Sequence, residues 1–218
     1  HLVRIMEGKH PTELFDLMGG TSTGGLIGLS LGIPDKNQQD KPAYYPTDIL
    51  KFYKEKKDEI FVRKSVVYLP GLHGSLYDPS GIENFCKDQF STQLRMSQLL
   101  IPSFVVAYNA NQTRQEIFGS HSAFLGHGDN IKVWEAGRVT SAAPFYFNGV
   151  LKNGDVLRDG GLTANNPALI AYHEAKKLFP GKKKRDFVII SLGTGDFDKP
   201  DNITQTALGI TDIMDDYG

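Results

Sequence analysis

The chain has 218 residues, 40% of them apolar, and a formal net charge of −1 at pH 7, enough material for one domain that buries roughly 70% of the surface its unfolded chain would expose. That charge balance gives no electrostatic reason to expect nucleic acid, and one cysteine, Cys86, excludes a disulfide framework or a thiolate metal cluster. No run approaches the roughly 18 apolar residues of a membrane-spanning helix, so a soluble or membrane-peripheral chain without a transmembrane segment is expected.

In chain order, residues 1–7 read as the end of an amphipathic helix with Gly8 as its C-cap. Residues 15–27 organise the rest of the chain. A strand-like apolar run ends in Gly19-Gly20, Ser22 sits between Gly20 and Gly24, and a second apolar run of helical character begins. A serine hydroxyl is a weak nucleophile that an enzyme must expose, flank with a base and supply with donors for the developing oxyanion. A G-x-S-x-G elbow provides the exposure, with Gly20 and Gly24 lacking side chains that would clash across the turn. The helix starting after Ser22 leaves its first N–H groups unpaired, which makes the Thr23 backbone N–H the first candidate oxyanion donor.

The helix over 26–31 ends at Gly32 and Pro34, and 35–42 is a polar loop. Thr47 or Asp48 caps a second helix with Ile49, Leu50, Phe52 and Tyr53 on one face. Lys51, Lys54, Lys56 and Lys57 point outward, as a solvated face or a contact for anionic lipid. Residues 66–81 form a long aromatic loop beside the cleft, running into a helix over 79–90. A buried strand over 101–107 turns at 109–111 into an antiparallel partner over 114–119. Residues 122–129 are a loop, and 132–143 a helix with Val133, Trp134, Ala136 and Val139 inward. Asn153-Gly154 is a strong hairpin signal, and its outgoing strand delivers Asp159. Asn166 as N-cap and Pro167 as first residue open a helix to about Phe179. A basic loop over 182–185 precedes a continuously apolar strand over 187–192, of the kind buried in a parallel sheet, and 212–218 begin a helix. Strands alternating with helices predict a three-layer α/β/α domain with a mostly parallel central sheet, its chemistry beyond the strand ends.

None of the six histidines sits in a compelling context for a base. The better candidate is Asp159, which follows a strand and precedes Gly160 and Gly161, so that its side chain can point from a tight turn into a cleft. An ordinary aspartate, with a pKa of about 3.9, works as a base only when close and partly desolvated. A raised Asp159 pKa and a hydrogen bond to Ser22 are therefore expected. The order Ser22, Asp159, His173 also allows a Ser-His-Asp hydrolase, although His173 falls well inside a predicted helix.

Three motifs in order carry a resemblance: 19–25 around Ser22, 140–147 (Thr-Ser-Ala-Ala-Pro-Phe-Tyr-Phe), and Asp159-Gly160-Gly161 before Asn165-Asn166-Pro167. Together, over about residues 15–195, they resemble the patatin-like phospholipase family. The resemblance implies a dyad with Ser22 as nucleophile and Asp159 as general base and no catalytic histidine; no metal and no other cofactor is expected, since no oxygen ligands cluster in the sequence at EF-hand-like spacing. It implies a lipid acyl ester as substrate, met transiently at a membrane surface, and a single patatin-like catalytic domain over 1–218. The family's upstream glycine-rich loop, D-G-G-G-x-[RK]-G, has no match in this chain. The start is therefore expected to lie inside the helix after that loop, without the first strand and half of the oxyanion hole, and the far end inside another helix. A natural start near His1 would favour a lipid-binding or regulatory module that has lost catalysis.

Overall fold

Strand β2, Ser103–Asn109, is the axis of the sheet. The computed structural model describes residues 8–64 and 75–193. All of β2 except Tyr108 is buried, and its side chains alternate between two cores. Val105 and Ala107 join one core with Leu29, Cys86, Phe90, Val133 and Val139, while Phe104 and Val106 join another with Leu17, Ala164 and Ile170. Helices cover both faces, which is why the strand reads as an unbroken apolar run.

Three strands share the two edges of β2. Strand β1, Met18–Thr21, pairs parallel to 103–106 in a register that sets Thr21 opposite Val106. Strand β3, Arg114–Gly119, runs antiparallel along 104–109. Strand β5, Asp155–Asp159, is antiparallel to 107–109 with Asp159 opposite Ala107, and carries β4, Val150–Lys152, on its far side. Because β3 holds one edge throughout, β1 and β5 lie end to end on the other. They run towards each other, and their C-terminal ends meet between Val106 and Ala107.

The expectation of a mostly parallel sheet is corrected: among the described residues one pairing is parallel and three are antiparallel. Short connections account for two of the three, β2–β3 through 110–113 and β4–β5, while β2 and β5 pair across a long stretch of chain. β4 and β5 are joined through Asn153 and Gly154, both at positive φ (52° and 89°), the geometry of a two-residue hairpin turn that forces antiparallel pairing. The run over 187–192 is also corrected, since it lies outside the sheet with Val188 90% and Leu192 76% exposed. An apolar run shows what favours burial but not which edge will receive it.

The helices are α1 (Thr23–Gly32), α2 (Pro46–Glu55), α3 (Lys57–Ile60), α4 (Pro79–Phe90), α5 (Ser120–Phe124), α6 (Val133–Thr140), α7 (Gly161–Ala164) and α8 (Ala168–Leu178). Capping follows local chemistry with small shifts from expectation. The Asp48 carboxylate accepts the Tyr45 N–H at 2.8 Å, so α2 starts at Pro46. Asn166 Oδ1 accepts the Ala168 N–H at 3.0 Å while Pro167 occupies the cap position of α8. Leu50, assigned to the inward face of α2, is instead 56% exposed beside the buried Ile49. The loop expected over 122–129 opens within α5. The helices expected over 1–7 and 212–218, and the loop over 66–74, fall outside the described residues. Among those residues no helix is long and apolar enough to cross a membrane.

Candidate active site

β1 ends in an elbow. Ser22 adopts φ 56° and ψ −125°, a strained conformation for a residue with a side chain, and several contacts hold it there. Its N–H donates to Thr140 Oγ1 at 3.0 Å, its carbonyl accepts the Leu26 N–H at 3.1 Å to start α1, and the preceding Thr21 hydroxyl donates to the Ala164 carbonyl at 2.8 Å. A Cβ on Gly20 would lie 2.3 Å from the Gly24 carbonyl carbon and oxygen, so only glycine fits. Gly24 needs no such exemption, because its own Cβ would meet nothing within 4 Å. Gly19 and Gly25 are crowded as well, a Cβ coming 2.0 Å from Phe104 Cε1 at the first and 2.8 Å from Thr140 Cγ2 at the second. The steric reason expected at Gly24 is thus corrected: its backbone, not its side-chain position, occupies the space that Gly20 vacates. Gly20→Ala is expected to lower unfolding free energy by about 2–4 kcal/mol, whereas Gly24→Ala, at an open helical position, is expected to be neutral or stabilising by up to about 1 kcal/mol. Urea denaturation of both variants checks this contrast, and equal losses would contradict it.

Asp159 ends β5 and is 0% exposed. Its N–H donates to the Ala142 carbonyl at 3.1 Å, and its Oδ1 accepts the Gly161 N–H at 2.8 Å. The turn can form because residue 160 is glycine, since a Cβ there would sit 2.5 Å from the Val106 carbonyl oxygen. Gly160 therefore allows the close approach to β2, while Gly161 supplies a donor. Burial pushes the Asp159 carboxyl up to about 6, against the opposing pull of the Ser22 hydroxyl and the Gly161 N–H. Meeting end to end on β2, the two strands bring Ser22 and Asp159 together. Asp159 Oδ2 nevertheless accepts no hydrogen bond among the described residues, so the bond expected from Ser22 is not formed at bonding geometry. Long contacts of this kind are common in sites without substrate.

Ser22 opens on a cavity of about 210 Å³, walled by Leu26, Tyr53, Ile60, Phe61, Phe85 and Phe147, with Thr23 beside the serine and Lys57 also on its lining. The Tyr53 hydroxyl donates to the Thr23 carbonyl at 3.3 Å, and burial drives its pKa upward. The Thr23 N–H belongs to the first turn of α1, whose amides have no partner within the helix. Among the described residues no histidine lines the cavity. His173 is exposed on α8, and the buried His10 is engaged elsewhere, at 3.0 Å from the Tyr44 carbonyl. Among the described residues no group of three or more His, Cys, Asp or Glu side chains gathers. No local signal in the sequence marks Thr140, Tyr53 or Ala142 individually. Only the run over 140–147 points to this region, and it does so through resemblance.

The model of the patatin-like phospholipase family matches residues 4–172, a span that includes both the serine elbow and the Asp159 turn. Calcium-independent phospholipase A2-gamma of Mus musculus is 29% identical over 211 residues, which are 89% of this chain and 26% of that protein. The Oryctolagus cuniculus protein of the same name is 30% identical over 215 residues, 90% of this chain and 26% of its own. Patatin-like protein 1 of Arabidopsis thaliana is 31% identical over 207 residues, 84% of this chain and 50% of that protein. The chain thus spans half or less of the length of these curated relatives. With a match that runs from before the elbow to past the aspartate turn, on an α/β sheet covered by helices on both faces, the chain belongs to the patatin-like phospholipase family.

Proposed function

We propose that this chain carries the catalytic machinery of a lipid acyl hydrolase, with Ser22 as nucleophile and Asp159 as general base. The observation that carries the reading is the junction on β2, where a strained, half-buried serine and a fully buried carboxylate end two opposed strands beside an apolar cavity. Family membership supports the substrate class, and the phospholipase names of several relatives favour a phospholipid.

The chemistry balances with these groups alone. Asp159 Oδ2 takes the Ser22 proton as Oγ bonds to the ester carbonyl carbon, and the oxyanion meets the Thr23 N–H at the positive end of α1. Collapse of that intermediate breaks the bond to the alcohol, which leaves with the proton from Asp159. A water then gives its proton to the same carboxylate and attacks the acyl-enzyme, and as the fatty acid is released Ser22 Oγ leaves with that proton from Asp159, which restores both groups. Burial serves this cycle, because a carboxylate with a pKa near 6 is ionised at neutral pH yet a stronger base than an ordinary aspartate. The cavity walls suit an acyl chain.

A fluorophosphonate probe tests the reading in the full-length protein. It is expected to label the parent and not Ser22→Ala, with release of fatty acid from phosphatidylcholine vesicles following the same pattern. A parent that neither labels nor releases fatty acid would instead indicate a lipid-binding module.

A further inference from the structure

Building on that acyl-hydrolase reading, we propose that Thr140 is a positioning residue whose hydroxyl sets the nucleophile's backbone relative to the general base. The Ser22 amide has left the ladder of β1 and precedes the first turn of α1; its hydrogen-bond acceptor is Thr140 Oγ1, at 3.0 Å. The Thr140 hydroxyl proton goes to the Val106 carbonyl at 2.6 Å, which turns an oxygen lone pair towards Ser22. Thr140 is 0% exposed, so bulk water does not compete for either bond.

The location gives this pair of bonds its consequence. Val106 lies opposite Thr21, and the next residue, Ala107, lies opposite Asp159. The Thr140 hydroxyl therefore ties the elbow to β2 at the point where the two strands meet. Two residues further on, the Ala142 carbonyl accepts the Asp159 N–H at 3.1 Å. One short segment at the C-terminal end of α6 thus grips both the nucleophile and the base through their backbones. The Thr140 methyl faces Gly25, where a Cβ would come 2.8 Å from it, so the close approach of α1 depends on glycine there. This arrangement occupies the Ser22 N–H, which is therefore not free to serve as an oxyanion donor. It also gives the Thr-Ser-Ala-Ala-Pro run a physical role in spacing the dyad.

Without the hydroxyl, the Ser22 N–H and the Val106 carbonyl lose a buried partner, and the strained serine has reason to relax. Displacements of about 1 Å at a reacting atom can cost on the order of 100-fold in rate. Thr140→Val and Thr140→Ala are therefore expected to lower kcat and the rate of phosphonate labelling by roughly 10- to 100-fold, with KM little changed. Thr140→Ser, which keeps the hydroxyl and loses the methyl, should remain within about threefold of the parent.

The decisive readout is the rate per labelled site in the full-length protein. A residue that only stabilised the fold would lower the number of sites that label at completion and leave the rate of each unchanged. The positioning role is overturned if folded Thr140→Val or Thr140→Ala labels at the parental rate, or if Thr140→Ser is as slow as Thr140→Ala. It is also overturned if both hydroxyl-free variants fail to fold while Thr140→Ser folds, because the hydroxyl is then a requirement of the fold. A parent without Ser22-dependent labelling would remove the acyl-hydrolase reading itself, a result distinct from a labelled parent with indifferent Thr140 variants.

Discussion

Ser22→Ala is expected to reduce kcat/KM towards a phospholipid or a p-nitrophenyl acyl ester by about 10³- to 10⁴-fold or more, and Asp159→Asn by a comparable factor. The two losses have different origins. Alanine removes the atom that bonds to the acyl carbon. Asparagine preserves the shape of the turn, since its carbonyl oxygen can still accept the Gly161 N–H that Oδ1 accepts at 2.8 Å, but it takes no proton at neutral pH. Because both groups serve one proton transfer, the double variant should be no worse than the poorer single one. His173→Ala, altering an exposed residue of α8, is the control and should leave the kinetics unchanged. Full turnover by either dyad variant, or losses that multiply in the double variant, would defeat the dyad.

Much of this site could be read from local chemistry. The elbow was legible because a strand-like run, a serine flanked by glycines and a small-residue helix are contiguous, and the turn at 153–154 because Asn-Gly tolerates positive φ at both positions. Interactions that cross the chain were not legible. The opposition of β1 and β5 on one edge of β2 depends on pairing choices that no strand carries in its own sequence. Thr140 looks like any threonine near a helix end, and its contacts lie 118 residues away at Ser22 and 34 away at Val106. Gly24 and Gly25 are alike in sequence, yet only the second stands against the Thr140 methyl. The run over 187–192 shows the same limit from the other side, with strong strand composition and no paired edge among the described residues.

Asp159→Asn should also make the folded protein more stable at neutral and alkaline pH, even as it removes activity. The folded carboxyl titrates at about 6, above its ordinary value of 3.8, so between those values the folded protein holds a proton that the unfolded chain has released. Stability from this group is therefore fully present below the unfolded pKa and is lost as pH rises through the folded one. Above pH 6 both states are ionised, and keeping the charge buried costs on the order of 3 kcal/mol. Asparagine carries no charge, keeps the bond to Gly161, and sets an amide where the unpartnered Oδ2 stood, from which it can donate to the Ser22 hydroxyl. Urea unfolding should accordingly show the variant ahead by up to about 3 kcal/mol at pH 8, with the gap closing towards pH 4. The same carboxyl should appear in the parent's kinetics as an acid limb of kcat/KM with a midpoint near 6. Stability curves for parent and variant that stay parallel from pH 4 to 8 would mean an unshifted carboxyl. They would remove the physical basis for a lone aspartate acting as base, because the desolvation that strengthens the base is the same desolvation that weakens the fold.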